Sequence, residues 1–541
     1  PSLPLAMQPQ QARNETMMVV MLVILAATAS LYLRIDQFHH FASRHLWAED
    51  GNVFLNDASA GWSTLWRPYA GYIHLYPRLI ALISQCVELI NRPNILLCGW
   101  LISYALLVHA IARLMRSVGA SPIHTAAAVA LVSLQPQNGE VLFNITNSQW
   151  MMGAALFTIA VTPQQGTTRT SPLKLGVVAL MGLTGPFSIV LAPIIILYLW
   201  HRPTWSGNRS LYAAIVATSF IQAWVLLSSG RATQPGTIAP FSEWLATLSR
   251  QLTLGAGKPI TYVAAFLFLS LSSYLLLKTP KDSPVRQTSV AAMISFLAIT
   301  LASAYAIKDA PMLTSPLSSG SRYNWIPYTL IILYGIVISA RADKKTRLLL
   351  MAAVSLISMK ATKATIVEEL QFESYARLSE IKPVIIPINP VWKTYPGWHI
   401  SAHPSNAIQP KADIDTNFPA SILRKDLSST SISTAADKKI LVKSESGIEH
   451  AVLDIGDRCR NHLSVGLEID LQRDNDGFVT LRWSDSEGFP EQNSLKRWYP
   501  KGAITAQFAF QRGHQSRFLQ ITPIDSQGTS IINSLRIYCL N

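Results

Sequence analysis

Charge is scarce in this chain, and acids are scarcer still. Of 541 residues 14% are charged against 49% hydrophobic, and the mean hydropathy is +0.25. That balance excludes an ordinary soluble globular protein. Between residues 51 and 360 the acids are only Asp57, Glu88, Glu140, Glu243, Asp282, Asp309 and Asp343. There is no Walker-type lysine loop, no dinucleotide glycine fingerprint after a strand, and no Cys or His pair at zinc spacing. The nucleotide, nicotinamide and structural-zinc signatures are therefore all missing. Cysteines number four: Cys86 and Cys98 fall in the apolar half, Cys459 and Cys539 near the ends of a polar, strand-rich stretch. The second pair can close a disulfide if its compartment is oxidising.

Long apolar runs are what the chain does have. Runs long enough for a hydrocarbon core of about 30 Å recur from residue 17 to residue 360, after which the composition turns polar. The net charge of +14 would suggest nucleic acid in a soluble protein. Here Lys and Arg cluster in short segments between apolar runs, which points to topology and to no nucleic-acid partner. The runs at 17–34, 94–112, 121–135, 148–162, 173–185, 186–200, 210–228, 260–277, 287–307, 323–340 and 347–360 give about eleven spans. With a cytoplasmic N-terminus, the segments carrying Arg113 and Arg116, Arg169 and Lys174, Arg202 and Arg209, Lys278 to Arg286, and Arg341 to Arg347 all fall inside. The first run has no small-residue cleavage site after it and reads as a retained helix.

This scheme needs "LYPRLIALISQCVELI", residues 75–90, to lie at the outer interface as an amphipathic helix. A twelfth crossing is the competing reading. Residues 182–188, "GLTGPFS", read as a tight hairpin at the outer surface, since two glycines and a proline interrupt a run far longer than one crossing. The outward segments are then 35–93, 136–147, 229–259, 308–322 and everything after about 361.

Three outward loops carry candidate chemistry. The first, "HLWAEDGNVFLNDASAGWSTLWRPYAGY", sets Glu49 and Asp50 beside Trp47, with Arg67, Tyr69, His74 and Arg78 following. An acidic pair before a glycine is often just a helix end at the water interface. The surrounding rings favour a site instead: aromatic faces suit a sugar, and a carboxylate can activate a hydroxyl as general base. The second loop groups Asn138, Glu140, Asn144, Asn147, Gln149 and Trp150. Amides that both donate and accept suit a polyhydroxylated ligand, though they also cap helices. The third, "SSGSRYNWIPY", holds Arg322 beside Tyr323 on the outer side, where the orientation rule gives a cation no purpose. A guanidinium there can bind a lipid phosphate and stabilise the charge left as a glycosyl bond breaks. Arg231, Arg250 and Lys258 are weaker candidates for that work, and His39, His40 and His45 read as a solvated cluster.

Beyond the last span, 368–380 reads as a soluble helix and 382–400 as an extended, proline-broken segment, its Trp392, Tyr395, Trp398 and His399 able to fold back over the membrane part. Residues 401–445 are Ser-, Ala- and Lys-rich, as in a linker. From about residue 446, short alternating runs such as "LSVGLEIDL" and "FVTLRW" predict a β-sandwich that a Cys459 to Cys539 bridge would close. The domains are thus 1–360 in the membrane, with a first outer loop at 35–93, then 361–445 and 446–541.

The pieces "WAEDG", "RPYAGYIHLYPRLIA", "NITNSQW", "GLTGPFS" and "SRYNWIP" resemble bacterial membrane glycosyltransferases of the GT-C class, some associated with O-antigen or other surface-glycan modification. The resemblance covers most of residues 17–400. It implies a polytopic enzyme of the inner membrane with its C-terminal domain in the periplasm. It also implies a polyprenyl-phosphate sugar as donor and a glycan, lipid or protein as acceptor, with an acid of the first outer loop as base. On this chain that acid is Asp50 or Glu49, Asp50 preferred, and the phosphate-binding arginine Arg322, with Arg67 second. Some members use a divalent metal and others do not; no cofactor is expected to be required. A flippase for lipid-linked sugars and a noncatalytic glycan-assembly protein are the alternatives, and no obvious internal repeat of the transporter kind is present.

Overall fold

The computed structural model describes residues 9–35, 46–137, 139–164, 170–230, 238–253, 255, 259–308, 320–340, 342–358, 368–404, 414–415, 423–424, 432–434, 440–444, 450–454, 459, 462–484, 488–511 and 517–540. It divides into two compact units. The first takes Pro1–Phe38, Ala60–Ile83 and Ile95–Ile366; the second takes His39–Ser59, Ser84–Asn94 and Val367–Asn541.

The first unit is helical: α1 (Pro9–Arg34), α2 (Leu75–Ser84), α3 (Arg92–Ser117), α4 (Pro122–Ser133), α5 (Ser148–Val161), α6 (Pro172–Gly182), α7 (Phe187–Ile194), α8 (Arg209–Ser228), α9 (Phe241–Leu252), α10 (Pro259–Lys278), α11 (Pro284–Ala306), α12 (Trp325–Ser339) and α13 (Lys344–Ser358). Among the described residues four stretches are long and apolar enough to cross a bilayer: Met17–Arg34, Leu89–Ser117, Pro203–Ser228 and Pro284–Ala306. A helix also stands at each of the other seven predicted segments. Several are short; α6, at 11 residues, spans about 16 Å. The stretch from residue 75 forms only the 10-residue α2, about 15 Å and half a hydrocarbon core.

The centre of this unit is α12, every residue of which is buried. Its sequence is apolar all round, so no face seeks water. It packs against α11, α5, α10 and α4. Gly335 lets α10 approach closely, since a Cβ there would stand 2.1 Å from Phe268. Helix α1 lies along α4, and the buried Arg34 at its end donates to the carbonyls of Ser133, Gln135 and Gln137. The Ser133 carbonyl is the last of α4, where helix geometry leaves acceptors without intrahelical donors, and Gln135 and Gln137 follow in the loop beyond it. Residues 183–186 break the chain between α6 and α7, with Gly185 at φ +84°, as the glycines and proline predict.

The second unit is mainly β. Helix α14 (Phe372–Ser379) precedes a hairpin of β1 (Val384–Pro387) and β2 (His399–Ala402). The remaining strands are β3 (Ile414–Asp415), β4 (Leu423–Arg424), β5 (Ile432–Thr434), β6 (Ile440–Ser444), β7 (Ala451–Asp454), β8 (Ser464–Arg473), β9 (Gly477–Ser484), β10 (Ser494–Tyr499), β11 (Gly502–Gln511), β12 (Phe518–Thr522) and β13 (Gly528–Leu540). They form antiparallel sheets ordered β10-β9-β12-β7-β4 and β11-β8-β13-β6-β5, with β3 on β13. Trp483 of one sheet stacks on Phe510 of the other with centroids 4.5 Å apart, and Cys459 is bonded to Cys539. Strands β3 to β6, within the stretch expected to be a linker, pair into these sheets. At two to five residues each, in a Ser- and Lys-rich context, they are too short to show alternation.

Candidate functional site

In the first unit the loops predicted to face outward gather at one end. His74 bridges Thr184 of the 183–186 break, and the Ile73 main chain exchanges two 3.0 Å bonds with the Gln222 amide of α8. His74 Nε2 lies 3.1 Å from the Tyr69 carbonyl. Tyr69 and Tyr72 face each other across Ala70 and Gly71, both at positive φ, which is the two-residue turn suited to a twisted hairpin. Arg67 is exposed just before this turn; Arg78, one turn into α2, is buried.

The second and third predicted loops meet through charge. Arg322 Nη1 pairs with Glu140 Oε1, and Ser321 Oγ donates to Glu140 Oε2 at 3.3 Å. The Glu140 side chain is 9% exposed and that of Arg322 38%, so one partner is enclosed and the other reaches water. Burial pushes the Glu140 carboxyl up, against the pull of Arg322 and the Ser321 hydroxyl. Arg322 also lies over the Tyr323 ring at 5.5 Å, and Trp150 meets Tyr323 edge-on at 5.5 Å and Phe187 at 5.1 Å. Asn144 and Asn147 both donate to the Glu140 main-chain carbonyl at 2.8 Å. These amides therefore shape the loop that presents Glu140. Gln149 lies against Gly185, where a Cβ would come within 2.9 Å of its Oε1. Gln251 of α9 bonds Asn324, which brings the segment before α10 to the same end.

Among the buried polar groups at this end with no hydrogen-bond partner among the described residues are the Trp150 indole N–H, the Gln251 Oε1 and the Gln137 Oε1, whose own amide donates to the Ser321 carbonyl at 3.1 Å. Such groups are rare in folded proteins and recur where a ligand or water completes them. Three of the basic segments meet one another through other bonds. Gln164 bonds Thr204 and Lys174, and Thr204 bonds Gln287.

In the second unit Trp47, Glu49 and Asp50 form one strained turn. Ala48 has φ +38°, unusual for a residue with a Cβ, and a π-helical stretch, Asp50–Leu55, follows directly. Both features concentrate at functional sites. Asp50 is 2% exposed and its Oδ2 accepts from the Trp47 amide at 3.3 Å, while Glu49 is half-buried. The turn is strapped to the hairpin that follows α14. Ala48 N donates to the Asn389 carbonyl, Asn389 N to the Leu46 carbonyl, and Asn56 bonds the main chain of His399 and Ser401. Gly51 is required there, because a Cβ would stand 2.7 Å from both Ile388 and Ile400.

The predicted residues Asn138, Arg231, Lys258, His39, His40 and His45 lie outside the described residues. Among the described residues no group of three or more His, Cys, Asp or Glu is placed to hold a metal ion. Sequence reasoning missed Ser321, Asn324, Gln222 and Asn389. The first two sit beside Arg322 in "SRYN" and were legible there as neighbours; nothing in the chain marks the other two.

No family model and no curated protein matches the chain. A solved structure titled "BiXyn10A CBM1 APO" aligns over 24% of this chain and 89% of its own, at 11% identity and a TM-score of 0.16. At that score the likeness supports neither a fold nor a function.

Proposed function

We propose that the protein is a glycosyltransferase of the bacterial inner membrane that moves a sugar from a polyprenyl-phosphate donor to a periplasmic glycan, lipid or protein. The observation that carries this is the gathering of Arg322, Glu140, Trp150, Tyr323, Tyr69 and His74 at one end of the helical unit, while three of the basic segments meet through other bonds. It also supports about eleven crossings with a cytoplasmic N-terminus and a periplasmic β domain.

In this reading Arg322 binds the donor phosphate, with Arg67 beside the Tyr69 turn as second cation. The first-loop acid, Asp50 or Glu49, takes the acceptor hydroxyl proton. The acceptor oxygen then bonds to the anomeric carbon as the carbon–oxygen bond to phosphate breaks, and the leaving phosphate keeps the electron pair beside the guanidinium. One displacement inverts the anomeric centre. The strained turn at Ala48 supports placing the base there.

The test is transfer from a purified polyprenyl-phosphate sugar by the full chain in nanodiscs, with Asp50→Asn and Glu49→Gln made separately. The base variant is expected to lose about 10²- to 10⁴-fold in rate. Full activity in both would end the assignment. Transport without product would favour a flippase, and neither activity an assembly protein.

A further inference from the structure

We infer that the loop between β1 and β2 is a saccharide-binding platform whose contact rings are Trp392, Tyr395 and Trp398. Among the described residues of the second unit, the large apolar side chains standing exposed are Trp392 (55%), Tyr395 (40%) and Leu463 (59%). Two of the three come from one loop, and both are aromatic. Rings alone do not separate the ligands, since Trp and Tyr are enriched at protein interfaces and at membrane surfaces too. A sugar asks for flat ring faces against its C–H groups and polar groups beside them for its hydroxyls. Lys393 and Thr394, both exposed and between Trp392 and Tyr395 in the sequence, carry such groups.

The rings are held in place before any ligand arrives. Trp392 and Trp398 stand perpendicular, at 86° with centroids 6.1 Å apart. Tyr395 is backed by the buried Tyr499 ring at 5.0 Å and by the Arg497 guanidinium at 5.9 Å. Arg497 is itself 6% exposed and donates to the Gln507 carbonyl of β11 at 3.3 Å. The neck of the loop is closed by Ile388 N donating to the Trp398 carbonyl at 3.0 Å. Asn389 and Glu368 bracket each other through two bonds, of 2.8 and 3.1 Å. A preordered aromatic surface binds without the entropy cost of assembling it.

The same Asn389 straps the Glu49 and Asp50 turn through its main chain. Platform and acid pair therefore share one anchor within the second unit, and the bound saccharide is the acceptor of the transfer. That last role rests on the transferase reading; saccharide binding does not.

The experiment uses the full chain in nanodiscs on an array of immobilised oligosaccharides with neutral and acidic hexose, hexosamine and deoxyhexose units. Wild type is expected to bind a subset, Trp392→Phe to retain most of that binding, and Trp392→Leu and Trp398→Leu to lose about tenfold or more. Leu463→Ala, another exposed apolar site, should change nothing. In parallel, the 5-fluorotryptophan resonance lost in Trp392→Phe should be broadened by a water-soluble paramagnet and protected by the bound sugar. A blank array, undiminished binding by Trp392→Leu, or broadening of that resonance by a spin-labelled lipid instead would each overturn the platform. A blank array with transfer still dependent on Asp50 or Glu49 leaves the enzyme standing without it. Binding that persists when transfer fails leaves the platform and removes the enzyme.

Discussion

Removing the charge on Glu140 should tighten the hold on a lipid phosphate, not loosen it. In the proposed transferase Glu140 and the donor phosphate would compete for one guanidinium, and Ser321 bonds the carboxylate that pairs with Arg322. Enclosed pairs broken at one partner cost about 3–5 kcal/mol, and exposed ones about 0–1. With Arg322 at 38% exposure and Glu140 at 9%, the contact falls between, at about 1–2 kcal/mol. Glu140→Gln keeps the size and the acceptor for Ser321 while deleting the competing charge. Polyprenyl phosphate should then bind about 5- to 30-fold more tightly, at 1.4 kcal/mol per tenfold. Calorimetric titration of wild type, Glu140→Gln and Arg322→Ala in nanodiscs measures this, with Arg322→Ala losing affinity. Equal or weaker binding by Glu140→Gln would refute the competition and make Glu140 a support that positions Arg322.

Gly51→Ala inserts a methyl group 2.7 Å from Ile388 and Ile400. It should cost about 1–3 kcal/mol in docking of the acidic turn and lower transfer while leaving polyprenyl-phosphate affinity unchanged. Opening Cys459–Cys539, which are 80 residues apart, with Cys459→Ala and Cys539→Ala together should remove about 2–5 kcal/mol, read as a lower melting temperature of the β domain within the full chain. Glu468 supplies a pH dependence. Burial raises its carboxyl, but Lys382 and Tyr538 bond it and hold it net below the ordinary value. Its stabilisation is therefore complete above the ordinary carboxylate range and drains as pH falls through the lowered value. Acid unfolding of the wild type should be steeper than that of Glu468→Gln; superimposable curves would contradict this.

Much of the helical unit was legible because hydrocarbon thickness, helix rise and the placement of Lys and Arg act locally along the chain. The helices at the apolar runs and the break at "GLTGPFS" follow from such terms. Alternation likewise marked the longer strands β8, β9 and β11. The pairing of β3 to β6 was not legible, since a strand of two to five residues is stabilised by the neighbour that supplies its hydrogen bonds and not by its own pattern.

The sequence by itself determined which residues carry scarce charge: an acid pair in the first long loop, a lone acid in the second and a cation at the head of α12. Only the tertiary structure decided their company. It paired Glu140 with Arg322 across 182 positions and strapped the Glu49 and Asp50 turn to Asn389, more than three hundred residues on. Contacts at such separations depend on how helices and strands pack, and packing is a property of the assembled chain, not of any window within it.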